Sequence, residues 1–309
     1  MLEISHSSAS VAEQCWKKWY FQYVMRLEPT KIAHHMYLGR VYHDALFLCN
    51  MGVPTNKITD FITDTFNDEM AKNEKADHEQ LIINRHTVMG MFLSYPHKDL
   101  TQWQEMYPEE EFKCRLGNMR NVKFVGRVDG RVKWNDHYWL REYKTTGLSQ
   151  RMFEQRAAIS SQCTGYVYGV ERQHQHPIAG VIYDVVKRPL LRKRMDETAE
   201  KFGMRIQMDY ATRPQFYHLR YAAYRTTNEV ALFENDLMSL VKDIREKKKT
   251  GRWNRNTGAC YNYNSECPYK KICFCDKPDK LTLELYYHER KPYKKDDNDL
   301  LSKWGKDAV

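Results

Sequence analysis

Asp129 closes a Gly-Arg-Val-Asp segment, and twelve residues separate it from the trio Glu142-Tyr143-Lys144. Two carboxylates and an ammonium group suit phosphodiester hydrolysis. Carboxylates that hold divalent cations neutralise charge on phosphate oxygens and provide hydroxide near neutral pH, and a lysine can orient the attacking water. If the residues around Glu142 form a strand, side-chain alternation puts Glu142 and Lys144 on one face. A tight hairpin at Asn135-Asp136 would then return Asp129 beside them. A surface carboxylate with a cross-strand salt bridge is the competing reading of the same residues.

A second concentration of reactive side chains lies further on. Cys260, Cys267 and Cys273 are separated by six and five residues, Pro268 follows the second, and Cys275 adds a thiol two residues on. Thiolates so closely spaced suit a soft metal, and one zinc ion held by these four is the simplest local reading. Cys49, Cys114 and Cys163 read as small buried apolar residues. The run from Lys187 to Arg194 includes Arg188 and Arg192, and a second run joins Lys247-Lys248-Lys249 to Arg252, Trp253 and Arg255. Cations interleaved with aromatics suit a groove that tracks a nucleic-acid strand, while a solvated charged face explains the same composition. The formal charge of +9 favours a polyanionic partner. No recognition helix or zinc-finger repeat is apparent, so sequence-specific reading is not expected.

The elements that must position these groups are legible as patterns. Ser10 and Glu13 form a capping-box pattern before a helix that carries Cys15, Trp16, Trp19, Tyr20 and Tyr23. A second helical pattern, from Leu38 to Leu48, carries His43, and helical, mostly polar sequence continues to about Met106. Residues 109–117, 122–134 and 138–146 then read as an antiparallel meander. A helix over 149–171 follows, with Gln162 and Tyr166 four apart on one face. Next come a strand over 178–186, a helix over 192–212, a strand over 216–225 and a long helix opened by Thr226 and Glu229. From Lys291 a charged tail has little to bury. The mixture predicts an α/β fold: a central mixed sheet flanked by helices, with helical insertions.

Taken in order, these segments resemble the RecB-like and CRISPR-associated iron-sulfur exonuclease branch of the PD-(D/E)XK nucleases. The matching residues are Cys15 after a Ser-rich start, Gly39-Arg40-Val41-Tyr42-His43, Gly126-Arg127-Val128-Asp129, Glu142-Tyr143-Lys144, Gln162 with Tyr166, and the C-terminal cysteines. The resemblance implies a restriction-endonuclease-like core in which Asp129, Glu142 and the Tyr143 carbonyl ligate Mg²⁺ or Mn²⁺. It makes His43 a further ligand and Lys144 the catalytic cation, and it sets Gln162 and Tyr166 on the DNA backbone. Glu111 is a candidate extra carboxylate, although it stands beside Glu109 and Glu110 in what also reads as a solvated acidic strand start. For the cysteines the resemblance implies a 4Fe-4S cluster on Cys15, Cys260, Cys267 and Cys273. This chain has six residues where many members have two between the first cysteines of the trio, which leaves Cys275 as an alternative to Cys15.

The expected organisation is a helical region at 1–105, a catalytic core at 106–190, an extension at 191–258, a cysteine segment at 259–275 and a polar tail at 276–309. The expected activity is metal-dependent exonucleolytic cleavage of DNA, on single-stranded ends, in recombination, repair or viral and mobile DNA processing. A helicase, recombinase or integrase would be a natural partner. Two rivals remain: an idle nuclease-like DNA-binding protein, and a nuclease trimming prespacers in CRISPR adaptation. No signal peptide or membrane span is indicated, so a reducing cytoplasm is expected. There is no phosphate-cradling GxxxxGK loop for an ATP motor.

Overall fold

Alternating apolar residues build the sheet. Phe112 and Cys114 on one strand, and Val122, Phe124 and Val128 on the next, are all buried, as one covered face demands. The computed structural model describes residues 1–30, 34–72, 78–96, 103–262, 265–275, 278–290 and 297–305. β1 (Leu2–Ile4) leads into α1 (His6–Gln14) and α2 (Trp16–Trp19), followed by a π-helical turn and β2 (Leu27–Pro29). Helices α3 (His34–Asn50), α4 (Thr55–Lys72) and α5 (His78–Leu93) precede β3 (Glu105–Arg115), β4 (Val122–Trp134) and β5 (His137–Thr146). Next are α6 (Gln150–Ala158), α7 (Ser161–His174), β6 (Ile178–Lys187), α8 (Ala199–Thr212), α9 (Pro214–Tyr217), β7 (His218–Tyr224) and α10 (Thr227–Thr250). The last described elements are β8 (Tyr261–Asn262), β9 (Ser265–Glu266), α11 (Lys270–Cys273), α12 (Lys280–Tyr286), β10 (Tyr287–Glu289) and α13 (Asp297–Trp304).

Six strands form one mixed sheet. β3 bonds one edge of β4 along its length, from Arg115 opposite Lys123 to Glu105 opposite Lys133. The other edge of β4 is shared. β1 pairs with it in parallel at Val122–Phe124, and β5 pairs with it antiparallel at Gly130–Trp134. Residues 125–129 therefore face a fork between β1 and β5. Beyond the fork β5 continues in parallel register with β6 to Thr146 opposite Lys187, and β7 closes antiparallel on β6. The β4–β5 turn is the expected tight one, with φ of 48° at Asn135 and 62° at Asp136, the left-handed pair that a two-residue hairpin requires.

Helices cover both faces. Residues of α1, α6, α7 and α10 share a core with Phe112, Phe124, Leu140 and Val185. Those of α3, α4, α5 and α8 pack together with Tyr143 and Val186. Gly126 of the Gly-Arg-Val-Asp segment has a packing reason. A Cβ at Gly126, or at Gly169 of α7, would overlap the buried Phe112 ring. Two glycines thus let α7 approach the sheet closely, which sets the distance of Gln162 and Tyr166 from the fork.

Several expectations are corrected. α1 is capped by Ser5, whose side chain accepts from Ser8 N, so Ser10 is not the cap. Cys15 sits at an extended break, φ −166°, between α1 and α2 and not within one helix. The helix over 149–171 is two, interrupted after Ala158 and recapped by Ser160. Regular helix in the 192–212 segment starts only at Ala199. The C-terminal segment is not merely a polar tail: β10 pairs with β2, Tyr287 is buried, and Leu300, Leu301 and Trp304 pack on the α3–α5 core. Apolar residues scattered among charges gave a pattern too sparse to read as helix. The Thr226–Glu229 capping box and the left-handed Gly251 cap of α10 are as expected.

Candidate active site and cysteine pocket

Asp129 lies where β5 leaves β4. The β4–β5 ladder stops at Gly130 opposite Arg141, and the next strand amide, Tyr143 N, donates instead to Asp129 Oδ2 at 2.7 Å. The carboxylate thus satisfies a backbone donor that the forked sheet would otherwise leave unpaired. α3 brings His43 Nδ1 to 3.4 Å from the same Oδ2. The His43 and Tyr143 rings meet edge to face at 6.0 Å, and Asn50 Nδ2 donates to the Tyr143 hydroxyl at 2.8 Å. Lys144 Nζ donates to Glu142 Oε1 at 2.6 Å and to Gln162 Oε1 at 3.1 Å, and Gln162 Nε2 donates to the Tyr166 hydroxyl at 2.9 Å. β4, β5, α3 and α7 therefore gather Asp129, Glu142, Lys144, His43, Gln162 and Tyr166 into one cleft.

Its electrostatics follow from burial. Glu142 is 6% exposed, and its pKa is pushed up to about 7 by burial, with Asp129 adding to the rise and Lys144 opposing it. Burial also acts on Asp129, but the charge and hydrogen bond of His43 and the Tyr143 N–H hold its pKa below the ordinary value. His43 is raised because Asp129 outweighs burial. The buried Glu142 and the half-buried Asp129 share the charge of Lys144, and the cost of burial falls on Glu142, whose carboxyl is held toward its protonated form.

The family sequence profile described as "PD-(D/E)XK nuclease superfamily" matches residues 3–274. The chain belongs to the PD-(D/E)XK nuclease superfamily. Its mixed α/β core is the restriction-endonuclease-like fold of that superfamily, whose members generally use divalent metals. No curated protein sequence matches the chain. One solved structure, described as "Crystal structure of SSO0001", is 12% identical over 59% of this chain and 74% of its own, with a TM-score of 0.28. That likeness is too distant to add to the argument.

The nuclease cleft suits a divalent cation in its side-chain donors: two carboxylates and an imidazole. Among the described residues no three His, Cys, Asp or Glu side chains are grouped as ligands of one ion. The fit rests on charge, because a cation would relieve the repulsion that helps keep Glu142 protonated. Mn²⁺ affinity measured by calorimetry should accordingly rise as pH is taken from about 6 to about 8, with proton release visible as a dependence of heat on the buffer. Affinity flat across that range would remove Glu142 from the ligand set. In the metal-free protein the sign is opposite. The stability contributed by the protonated Glu142 is whole below its ordinary pKa of 4.5 and is lost as pH rises through about 7.

The other candidate residues lie elsewhere. Glu111 does not join the cleft; its side chain is 70% exposed and pairs with Arg127 at 2.6 Å, as the solvated-strand reading allowed. Arg188 and Arg192 are exposed on the chain after β6, and Arg188 N donates to Thr146 O at the end of β5. The lysine triplet is partly committed to packing, with Lys247 over Trp16 and Lys248 over Trp19. Trp253 stacks on Trp19 at 5.4 Å. Sequence reading missed His6. Its Nε2 lies 3.1 Å from Ser161 Oγ, beside Gln162, and its pKa is lowered to about 4 by burial and by the charge of Lys144. The parallel pairing of β1 with β4 delivers His6 to the fork, and no local pattern announces that pairing.

Cys15, Cys260, Cys267 and Cys273 line one small pocket together with Lys18 and Arg255. Cys275 is exposed, outside that pocket, with its thiol on the Lys271 carbonyl at 3.4 Å. Asn256 ties the two ends of the pocket: its N–H donates to Cys15 Sγ at 3.4 Å and its Nδ2 to Gln14 O at 2.9 Å. Cys114 and Cys163 are buried as expected, whereas Cys49 is only half-buried.

Proposed function

We propose that this nuclease degrades DNA from an end by metal-dependent hydrolysis, acting on single strands in recombination, repair or the processing of viral or mobile DNA. The observation that carries the reading is the cleft at the β1–β5 fork. Asp129 comes there from β4, Glu142 and Lys144 from β5, and Gln162 from α7. Asp129, Glu142 and the Tyr143 carbonyl would hold Mg²⁺ or Mn²⁺, with His43 as a further ligand. Such a cation, when bound, neutralises charge on a phosphate oxygen and lowers the pKa of a water. Lys144, steadied by Glu142 and Gln162, orients that water and offsets transition-state charge. Gln162 and Tyr166 contact the DNA backbone near the cleft, and Arg188 and Arg192 attract it further out.

Four thiols around a pocket lined by Lys18, Arg255 and Lys270 suit a polyanionic cluster. We assign Cys15, Cys260, Cys267 and Cys273 to a 4Fe-4S group, whose role is to join the first helices to the cysteine segment. The position of Cys275, exposed and outside that pocket, speaks against a local zinc site on the four C-terminal cysteines. The deciding assay is cleavage of end-labelled single strands, duplexes and circles with Mg²⁺, with Mn²⁺ and with chelator. Digestion of linear DNA alone, and only with metal, is expected. Equal attack on circles would overturn the need for an end, and DNA binding without cleavage in either metal would select the idle reading. Iron and sulfide analysis of anaerobically prepared protein should find the cluster, whereas stoichiometric zinc without iron would reject it.

A further inference from the structure

Between β6 and α8 the chain from Arg188 to Thr198 has no regular helix or strand, yet it is tied down at many points. Arg188 N donates to Thr146 O at 2.7 Å, and Leu191 packs into the α3–α8 core. Arg205 of α8 donates to the Arg192 carbonyl at 2.9 Å and grips both oxygens of Glu197 at 2.9 and 2.8 Å. Lys193 pairs with Glu79 of α5, and Arg194 N donates to Glu197 at 3.0 Å. A segment tied in this way holds its outward side chains in place without a covering element.

Those outward side chains are an unusual set. Leu190 is 73% exposed and Met195 is 106% exposed, and Arg188, Arg192 and Arg194 are exposed around them. Large apolar side chains held in water among cations gain nothing for the fold. Their position supplies a use. The Arg188 guanidinium lies against Gly147, three residues beyond Lys144, so the loop leaves β6 beside the end of β5, the strand that carries Glu142 and Lys144. Leucine and methionine are among the side chains that enter base steps and unstack them, and arginines beside them hold the phosphates.

The geometry points to a strand-parting loop. Leu190 and Met195 enter the end of a duplex and separate its terminal base pairs, while Arg188, Arg192 and Arg194 guide one freed strand toward the cleft. The inference rests on the nuclease reading and deepens it, because it makes a duplex end a substrate for a site that takes single strands. A membrane or protein surface would also meet apolar and basic side chains, but neither explains why the loop sits beside the end of the catalytic strand.

The test uses the whole protein and a Leu190→Ala/Met195→Ala variant, in which both side chains are solvent-exposed and dispensable for folding. A blunt duplex carrying 2-aminopurine one step from its end is mixed with protein in chelator. The parent should raise the fluorescence as the base unstacks, and the variant should leave it at the free-duplex level. With Mn²⁺, the variant's ratio of duplex-end to single-strand cleavage rates should fall about tenfold. An equal fluorescence rise with the variant, or an unchanged ratio, would overturn the loop's assignment. The fluorescence arm requires neither metal nor cleavage, so a parent that cuts nothing removes the nuclease reading while the fluorescence still judges the loop.

Discussion

Asp129→Asn is expected to lower metal-dependent cleavage by about a thousandfold while leaving the fold intact. The substitution keeps an oxygen for the Tyr143 N–H, which Asp129 Oδ2 now accepts at 2.7 Å, so the fork between β4 and β5 should persist. What it removes is charge. His43, raised chiefly because Asp129 overcomes burial, should titrate at lower pH. Glu142, raised partly by Asp129, should also lose part of its shift. Cleavage rates at saturating Mn²⁺ give the first readout, thermal melting the second, and NMR titration of His43 the third. Glu142→Gln should be comparably impaired. Parental cleavage rates in both variants would remove the assigned site, and a collapsed melting temperature would mean that Asp129 serves the fold first.

Asp184→Ala should destabilise the protein by about 3–5 kcal/mol, because it leaves the buried Arg141 and the half-buried Arg220 without their counter-charge. Asp184 interrupts the most apolar strand, β6, and takes Arg220 Nε on Oδ1 at 2.6 Å, with Arg141 Nε and the Tyr95 hydroxyl on Oδ2 at 2.8 and 2.9 Å. Arg141 is 1% exposed, with its guanidinium 4.7 Å from the Tyr143 ring centre. Asp184 pairs in register with Tyr143, so the network supports from below the strand that carries Glu142 and Lys144. Burial would raise the pKa of Asp184, but Arg141 and Arg220 outweigh it and hold it below the ordinary 3.8. The stability it confers is therefore present above pH 3.8 and lost as pH falls through the depressed folded value. Urea unfolding at neutral pH and in acid checks both statements. The variant should lose stability at neutral pH and show a shallower acid transition than the parent; a neutral-pH loss within about 0.5 kcal/mol would show that the ion network does not support the sheet.

How far residues alone reveal such a molecule depends on the range of the forces involved. The β3–β4–β5 meander was legible because strand alternation and a left-handed Asn135-Asp136 turn are local properties. The Thr226 capping box was legible for the same reason. Ser10 misleads because the four serines Ser5, Ser7, Ser8 and Ser10 offer several caps, and which one is used depends on where β1 pairs. The 149–171 segment reads as one continuous helix because a short stretch of irregular backbone at Ile159 leaves the apolar period nearly undisturbed.

The sequence by itself determined the Asp129, Glu142 and Lys144 constellation and the likeness of its ordered motifs to a nuclease superfamily, since residue type, spacing and alternation are written along the chain. Tertiary structure alone decided the fork that makes Asp129 satisfy the Tyr143 amide, the delivery of His6 beside Ser161, and the burial of Asp184 between two arginines. It also decided that Cys15, and not Cys275, shares a pocket with the other three cysteines. Each of these depends on contacts between segments far apart in the chain, whose free energy comes from packing and desolvation that no local pattern records.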